Sequence, residues 1–307
     1  MKVTEFPQDP VEAYDQAEQA ALARLGNRAI EASSTVLFDR IGYPTRVRSV
    51  KELWRYADVM HDGRAESNYG RLNGFTEKEF DLLRYAIELG ARTSDKLGRR
   101  IVPVDAPLMA VIPYRLITMC VQAGSVFELG PGSGYLGAML QMDRFDYRST
   151  DACQAFFLWQ RQLGLDLQVP WWEWYDHDRR FGLKFDVIVA NHVLNELHET
   201  ALRYFVVRAE WMLSAKGFLV VEDYGDQRLR NTQVTKALFL GRGWREAASG
   251  YILVAPGSTF DTGAIEESSK APVKLERNWD DLVAVWRSLG SGPNPDAEFA
   301  KFIVGEN

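Results

Sequence analysis

Polar and apolar positions change rhythm near residue 124. Before it, apolar residues recur at helical spacing between capping signals. Asp9-Pro10 opens a helix predicted to run to about Ser33. Ser49 is placed to cap the segment KELWRYADVMHDG, with Glu52 completing a capping box. Thr76 and Glu79 do the same for EKEFDLLRYAIELGARTSDKLG. The stretch from Ile101 to Pro107, stiffened by two prolines, predicts an extended connector, and a further helix is expected from about Tyr114 to Ala123.

From Ser125 short apolar runs alternate with helical patterns. SVFEL, YRSTD, VPWWEWYD, FDVIVAN and GFLVVEDYG are predicted strands, with helices between most of them, and WREAAS and GYILVAP are expected to pair as a hairpin. The alternation predicts an α/β fold: a doubly wound, mainly parallel seven-stranded sheet with an antiparallel edge hairpin, preceded by a helical N-terminal region. The implied organisation is a helical lid or dimerisation region over 1–124, a sheet domain over 125–256 and a C-terminal extension over 257–307, helical around DDLVAVWRSLG. The long helical region makes a homodimer a reasonable expectation.

Composition narrows the classes. The chain has 307 residues, of which 46% are hydrophobic, enough for a sizeable core. A net charge of -6 gives no electrostatic reason to expect a nucleic-acid partner, and the basic pairs Arg99-Arg100 and Arg179-Arg180 are isolated. Cys120 and Cys153 sit among apolar neighbours and read as buried thiols of a reducing compartment. The opening MKVTEFPQDPVEAYDQ has no apolar core of a signal peptide and no stretch approaches a membrane span, so a cytoplasmic protein without membrane contact is expected.

The candidate chemistry starts at Glu128-Leu129-Gly130-Pro131-Gly132-Ser133-Gly134, which follows a predicted strand and opens a helix. Glycines there let the backbone turn tightly and approach a ligand, while the helix N-terminus offers free N–H groups. Asp151, at the end of the next strand, can accept hydrogen bonds from both hydroxyls of a ribose. Together these predict a nucleoside-containing cofactor. Gly132-Ser133-Gly134-Tyr135-Leu136-Gly137 also satisfies the G-x-G-x-x-G of a dinucleotide site, which keeps an NAD-dependent oxidoreductase as a rival. Against it stand the residues preceding the loop, the closing hairpin in place of a second βαβαβ half, and Glu128, which suits a cationic methionine portion better than a pyrophosphate.

The run VFELGPGSGYLGAML resembles the first motif of class I S-adenosylmethionine (SAM)-dependent methyltransferases, an E/D-x-G-x-G-x-G pattern. Asp151 resembles their ribose-binding acid, FDVIVANHVLNEL their fourth-strand motif, AEWMLSAKGFLVVEDYG the approach to their fifth strand, and WREAASGYILVAP their last two strands. The likeness covers about residues 125–256. It implies SAM as cofactor, with Gly130, Gly132 and Gly134 against its methionine and ribose portions. It implies that Glu128 organises the loop or meets the amino group, that Asp151 holds the ribose, and that Tyr175, Asp176 and His177 flank the adenine. A non-catalytic SAM-binding protein is the other rival.

Asn191 and His192 follow the fourth predicted strand, where a helix is expected to begin beside the cofactor. His192, Asn195 and Glu196 would then share one helical face, with His198 off it. A hydroxyl acceptor needs its proton removed, so His192 and Glu196 are the candidate bases. Asn191 is expected to be a cofactor-binding residue, while Asn191 and Asn195 read equally as braces and His192 as a packed residue. Plant-type small-molecule O-methyltransferases carry a catalytic histidine where Asn195 stands, so their mechanism does not transfer. The N-H-x-x-N-E-L pattern is closer to a group of bacterial sugar O-methyltransferases. A small polar methyl acceptor, a sugar or phenol, is the implied substrate. The nine tryptophans could stack on such an acceptor but more commonly build cores. His61-Asp62 and Glu66 to Gly70 read as polar turns that could touch a lid. Glu222-Asp223 end the fifth predicted strand, but neighbouring strand residues point to opposite faces and no metal site is expected.

Overall fold

The computed structural model describes residues 9–26, 45–58, 65–165, 167–175, 183–194, 197, 199–222, 232–247, 250–263 and 274–291. Four parallel strands form its centre: β1 (Ser125–Leu129), β2 (Asp146–Thr150), β3 (Phe185–Val189) and β4 (Leu213–Val220). The short strands β5 (Arg245–Ala247) and β6 (Ile252–Val254) add the expected antiparallel hairpin. The sheet order is β2-β1-β3-β4-β6-β5, with Phe127 opposite Ile188 and Ile188 opposite Leu219. Strands β1 and β3 are covered on both faces, which is why their sequences run nearly unbroken in apolar residues.

Among the described residues the sheet has six strands, one fewer than the sequence predicts. The missing strand is VPWWEWYD. Its approach makes a single parallel bridge, Gln168 to Ser149, with the Val169 N–H on the Ser149 carbonyl at 2.7 Å. Pro170 then ends the pairing, since it has no N–H to donate and its carbonyl accepts the Glu173 N–H instead, opening a short helix over Trp171–Tyr175. The buried indoles of Trp171 and Trp172 meet edge to face. The first packs by its Nε1–H on Glu18, at 2.8 Å, the second against Tyr14.

The N-terminal region is helical as expected, with different bounds. Helix α1 spans Pro10–Leu25, capped by Asp9 and closed by Gly26. A 3-10 helix over Val50–Tyr56 stands where a longer α-helix is predicted; Ser49 caps it through the Lys51 N–H. Helix α2 (Ala65–Leu72) takes in Glu66 to Gly70, which the sequence reads as a turn. Helix α3 (Glu77–Lys96) carries the full Thr76–Glu79 capping box. Helix α4 (Asp105–Cys120) begins inside the predicted extended connector. The buried Asp58 carboxylate caps it, accepting the N–H groups of Val104 at 2.6 Å and Ala106 at 2.8 Å, and Pro107 falls in the first turn, where a missing N–H costs nothing.

Helix α5 (Tyr135–Met142) follows β1, α6 (Gln154–Gln162) follows β2, α7 is Trp171–Tyr175, α8 (Glu199–Met212) precedes β4, and α9 (Thr232–Gly241) precedes the hairpin. Helix α10 (Trp279–Ser288) returns to the N-terminal helices: its Trp286 Nε1–H bonds the Pro103 carbonyl at 3.2 Å, and Arg277 pairs with Glu77. One apolar cluster runs from Val11 to Trp286, with Trp159 and Trp286 fully buried in it. Among the described residues no helix is long and apolar enough to cross a membrane.

Candidate functional site

The chain reverses direction across the sheet between β1 and β3, since β2 lies on one side of β1 and β4 on the far side of β3. In open parallel sheets ligands occupy the crevice at that switch point, beyond the carboxyl ends of the strands. The glycine loop after β1 and the turn after β3 meet there. Gly130, Gly132 and Gly134 all have left-handed backbone, with φ of 65°, 54° and 75°. Their surroundings differ. A Cβ on Gly130 would run into Val193, from the turn after β3, and one on Gly134 would meet Leu165 and Gln160 at 2.9 and 3.0 Å. Among the described residues, a Cβ on Gly132 would meet nothing within 4 Å. Gly132 is therefore the glycine that opens onto free space, and the other two serve packing.

Asp151 ends β2 beside this loop and is almost fully buried. One carboxylate oxygen accepts the Cys153 N–H at 2.8 Å and the other lies 3.3 Å from the Gln160 amide nitrogen. That same amide nitrogen donates to the Gly132 carbonyl at 2.6 Å, so Gln160 ties acid and loop together. Burial pushes the Asp151 carboxyl up to about 7, while the N–H groups of Cys153 and Gly132 and the Gln160 amide draw it down. Glu128, also buried, accepts the Tyr147 hydroxyl at 2.6 Å. Burial raises it to about 7 as well, against the pull of the Tyr147 hydrogen bond and with the help of the Asp151 charge.

The N-terminal region is fastened over the loop. The Ser133 hydroxyl donates to the Tyr56 carbonyl at 3.0 Å, and the Tyr135 hydroxyl donates to the Ala57 carbonyl. The Val47 N–H donates to Gln154 at 2.9 Å, and Gln154 donates to Asp15 on α1 at 2.5 Å. Sequence reasoning expected a helical lid but missed Gln160 and the hydrogen bonds that fasten the cover. Gln160 left one signal, a polar residue three positions after Phe157 on the apolar stripe of α6.

On the other side of the crevice a different group assembles. Residues 191–194 form a turn and α8 begins only at Glu199, so the predicted helix does not start at Asn191. The reason is local: His192 has φ 54°, in the left-handed region, which a right-handed helix cannot include. Asn195 and Glu196, which the sequence places with His192 on one face of that helix, lie outside the described residues. The Asn191 side chain accepts the Glu222 N–H at 3.1 Å and so braces the ends of β3 and β4. His192 is 39% exposed, with Nε2 3.4 Å from Oε2 of the buried Glu222; the other oxygen of Glu222 is paired with Arg71 of α2. Burial alone would raise the Glu222 carboxyl, but His192 and Arg71 together hold it below its ordinary range. Arg71 was not foreseen, because α2 was read as a turn. Glu196, Asp176 and His177, and with them Asn195, His198, His61, Asp62 and Asp223, lie outside the described residues.

No family model matches the chain, and no curated protein is similar to it. Solved structures are similar to it in part. A TehB-like SAM-dependent methyltransferase from Corynebacterium glutamicum matches at 20% identity, over 46% of this chain and 83% of its own, with a TM-score of 0.38. A SAM-bound amino pentose methyltransferase from Micromonospora echinaspora, involved in calicheamicin biosynthesis, matches at 19% identity over 41% and 52%, with a TM-score of 0.30. The CcbJ methyltransferase from Streptomyces caelestis matches at 18% identity over 38% and 50%, also at 0.30. The chain spans about half the length of the last two.

Proposed function

We propose that the chain is a SAM-dependent methyltransferase that transfers a methyl group to a hydroxyl of a small polar molecule, a sugar or a phenol. One observation carries the cofactor assignment: a buried aspartate at the end of β2 is pinned through Gln160 to the one loop glycine whose Cα faces open space. Asp151 has the acceptors for a vicinal diol, and Gly132 leaves the room a nucleoside needs. The donor set also favours SAM over NAD. The buried Glu128 carboxylate at the start of the loop would repel a pyrophosphate and would attract a cation. The sheet closes with a hairpin instead of a second dinucleotide half.

SAM, when bound, supplies a methyl group on a sulfonium, open to in-line attack. The chain's residues supply the rest. Gly130 and Gly134 hold the loop in its left-handed turns, Asp151 holds the ribose, and the N-terminal helices cover the site and serve as lid or dimer element. His192 is the base. With its Nε2–H turned to Glu222, the ring is left with Nδ1 to take the proton of an acceptor hydroxyl. Base catalysis of that kind typically contributes ~10²–10⁴-fold.

The test is a panel of sugars and phenols incubated with the protein and SAM, read by mass spectrometry. The expected result is at least one acceptor heavier by a single methyl group, formed together with S-adenosylhomocysteine. Hydride exchange with a nicotinamide cofactor, or SAM binding with no methylated product from any acceptor, would replace this reading with one of its rivals.

A further inference from the structure

Glu222 follows β4, and its side chain is only 3% exposed, so water does little to keep its carboxylate charged. Its two oxygens have different neighbours. Oε1 is paired with the half-exposed guanidinium of Arg71, and Oε2 lies 3.4 Å from Nε2 of His192. The Asn191 side chain, accepting the Glu222 N–H at 3.1 Å, fixes this residue against the turn that carries His192. Arg71 comes from α2, and the end of that helix is held in place: Arg115 donates to the Leu72 carbonyl at 3.2 Å and to the Gly74 carbonyl at 3.0 Å. An ion pair between two exposed groups would contribute little. Here the carboxylate is buried, and a buried charge needs a partner.

The charge of Glu222 decides what Oε2 can do. Burial by itself favours the protonated carboxyl. A protonated Glu222 could donate from Oε2; the facing Nε2 would then accept, and the ring proton would sit on Nδ1. An ionised Glu222 only accepts, so Nε2 carries the proton and Nδ1 keeps its lone pair. His192 cannot itself hold the carboxylate charged while it serves as a base, because its ring is then neutral. Among the described residues Arg71 is the cation that remains on Glu222.

We propose that Arg71 is a positioning residue of the acceptor end: its guanidinium keeps Glu222 a carboxylate, so that His192 holds its proton on Nε2 and leaves Nδ1 to take the proton of the acceptor. This rests on the reading of His192 as the base. A residue of the N-terminal region thereby sets the tautomer of a ring carried by the turn after β3, and α2 acts on the chemistry as well as covering the sheet.

The experiment reads the ring directly and needs no acceptor. The full chain, with isotope-labelled histidine nitrogens, is titrated by NMR to the neutral end of the His192 curve, and the His192 signals are identified by their loss in His192→Gln. Wild type is expected to show the Nε2–H tautomer. Arg71→Met and Arg71→Gln, which remove the charge, are expected to shift the ring towards Nδ1–H, and Arg71→Lys, which keeps it, to hold Nε2–H. Circular dichroism checks the fold, and Arg71→Gln serves where Arg71→Met does not fold. A merely structural Arg71 would change the melting temperature in these variants and leave the tautomer alone. If the neutral variants keep the wild-type tautomer, the Arg71 assignment falls and His192 as base stands. The assignment also falls if Arg71→Lys behaves as Arg71→Gln does, since the charge is then not what acts. If wild type already carries its proton on Nδ1, the assignment and the reading of the base fall together.

Discussion

Asp151 and Glu222 are both buried carboxylates at the carboxyl ends of parallel strands, and they are held in opposite ways. Asp151 is met by backbone N–H groups and an amide, and its carboxyl is pushed up to about 7. Glu222 is met by Arg71 and His192, and its carboxyl is drawn below the ordinary range. In the proposed function the first acid would receive the hydroxyls of a ribose and the second would position His192. The two ends of the crevice also differ in construction. The proposed nucleoside end is built from one continuous strand–loop–helix and the strand beside it. The proposed acceptor end draws one residue each from α2, the turn after β3 and the end of β4.

The largest effects expected come from the loop itself. Gly132→Val should leave no measurable SAM binding, with circular dichroism unchanged, because the new side chain fills the open space and φ is unfavourable for it. Gly134→Val should instead lower the melting temperature, since its Cβ meets Leu165 and Gln160. If both substitutions behave alike, the division between an open glycine and a packed one is wrong.

At the acceptor end, His192→Gln should reduce kcat by ~10²–10⁴-fold without weakening SAM. The wild-type rate should rise with pH through the histidine range and the variant should be flat. A loss of SAM affinity in this variant would join the two ends that the comparison separates. A smaller effect is expected from Asp151→Ala. It should weaken SAM and S-adenosylhomocysteine alike by about ten- to a hundredfold, the equivalent of roughly 1.5–3 kcal/mol for hydrogen bonds to a charged group. Asp151→Asn, which keeps one acceptor, should lose less.

The two ends should also tilt stability with pH in opposite directions, the smallest of these effects. Asp151 and Glu128 have folded values near 7, above their unfolded ones, so the folded chain binds more protons between the two. Their contribution is complete at acid pH and lost as pH rises towards and through about 7. Glu222 is lowered, so its contribution is present above the ordinary carboxylate range and lost as pH falls through its folded value. The melting temperature of the free protein should fall less steeply between about pH 5 and about pH 8 in Glu128→Gln than in wild type. An unchanged slope would mean that Glu128 titrates as an ordinary carboxylate.

The strand, glycine loop and helix, and the place of Asp151 at the end of β2, were legible in the sequence because backbone geometry encodes them. A glycine run after an apolar strand has few other uses, and an acid at the next strand's end follows at fixed topology. The hairpin and the Thr76–Glu79 box were legible for the same reason, being local. The errors occurred where distant contacts overrode local pattern. The WWEWY segment reads as a strand by its aromatics, but Pro170 and the packing against Tyr14 and Glu18 make it a helix. The connector at 101–107 became helical because Asp58, far upstream, caps it. Arg71 and Glu222 could not be joined by any spacing rule, and nothing local announces the left-handed backbone of His192.

The most direct test of the cofactor assignment is calorimetric titration of the wild-type protein with SAM, S-adenosylhomocysteine and NAD, with Asp151→Ala titrated in parallel. SAM and S-adenosylhomocysteine should bind wild type with one site per chain, both should weaken in the variant, and NAD should give no heat. Binding of NAD in competition with S-adenosylhomocysteine, or SAM affinity that is indifferent to Asp151, would contradict it.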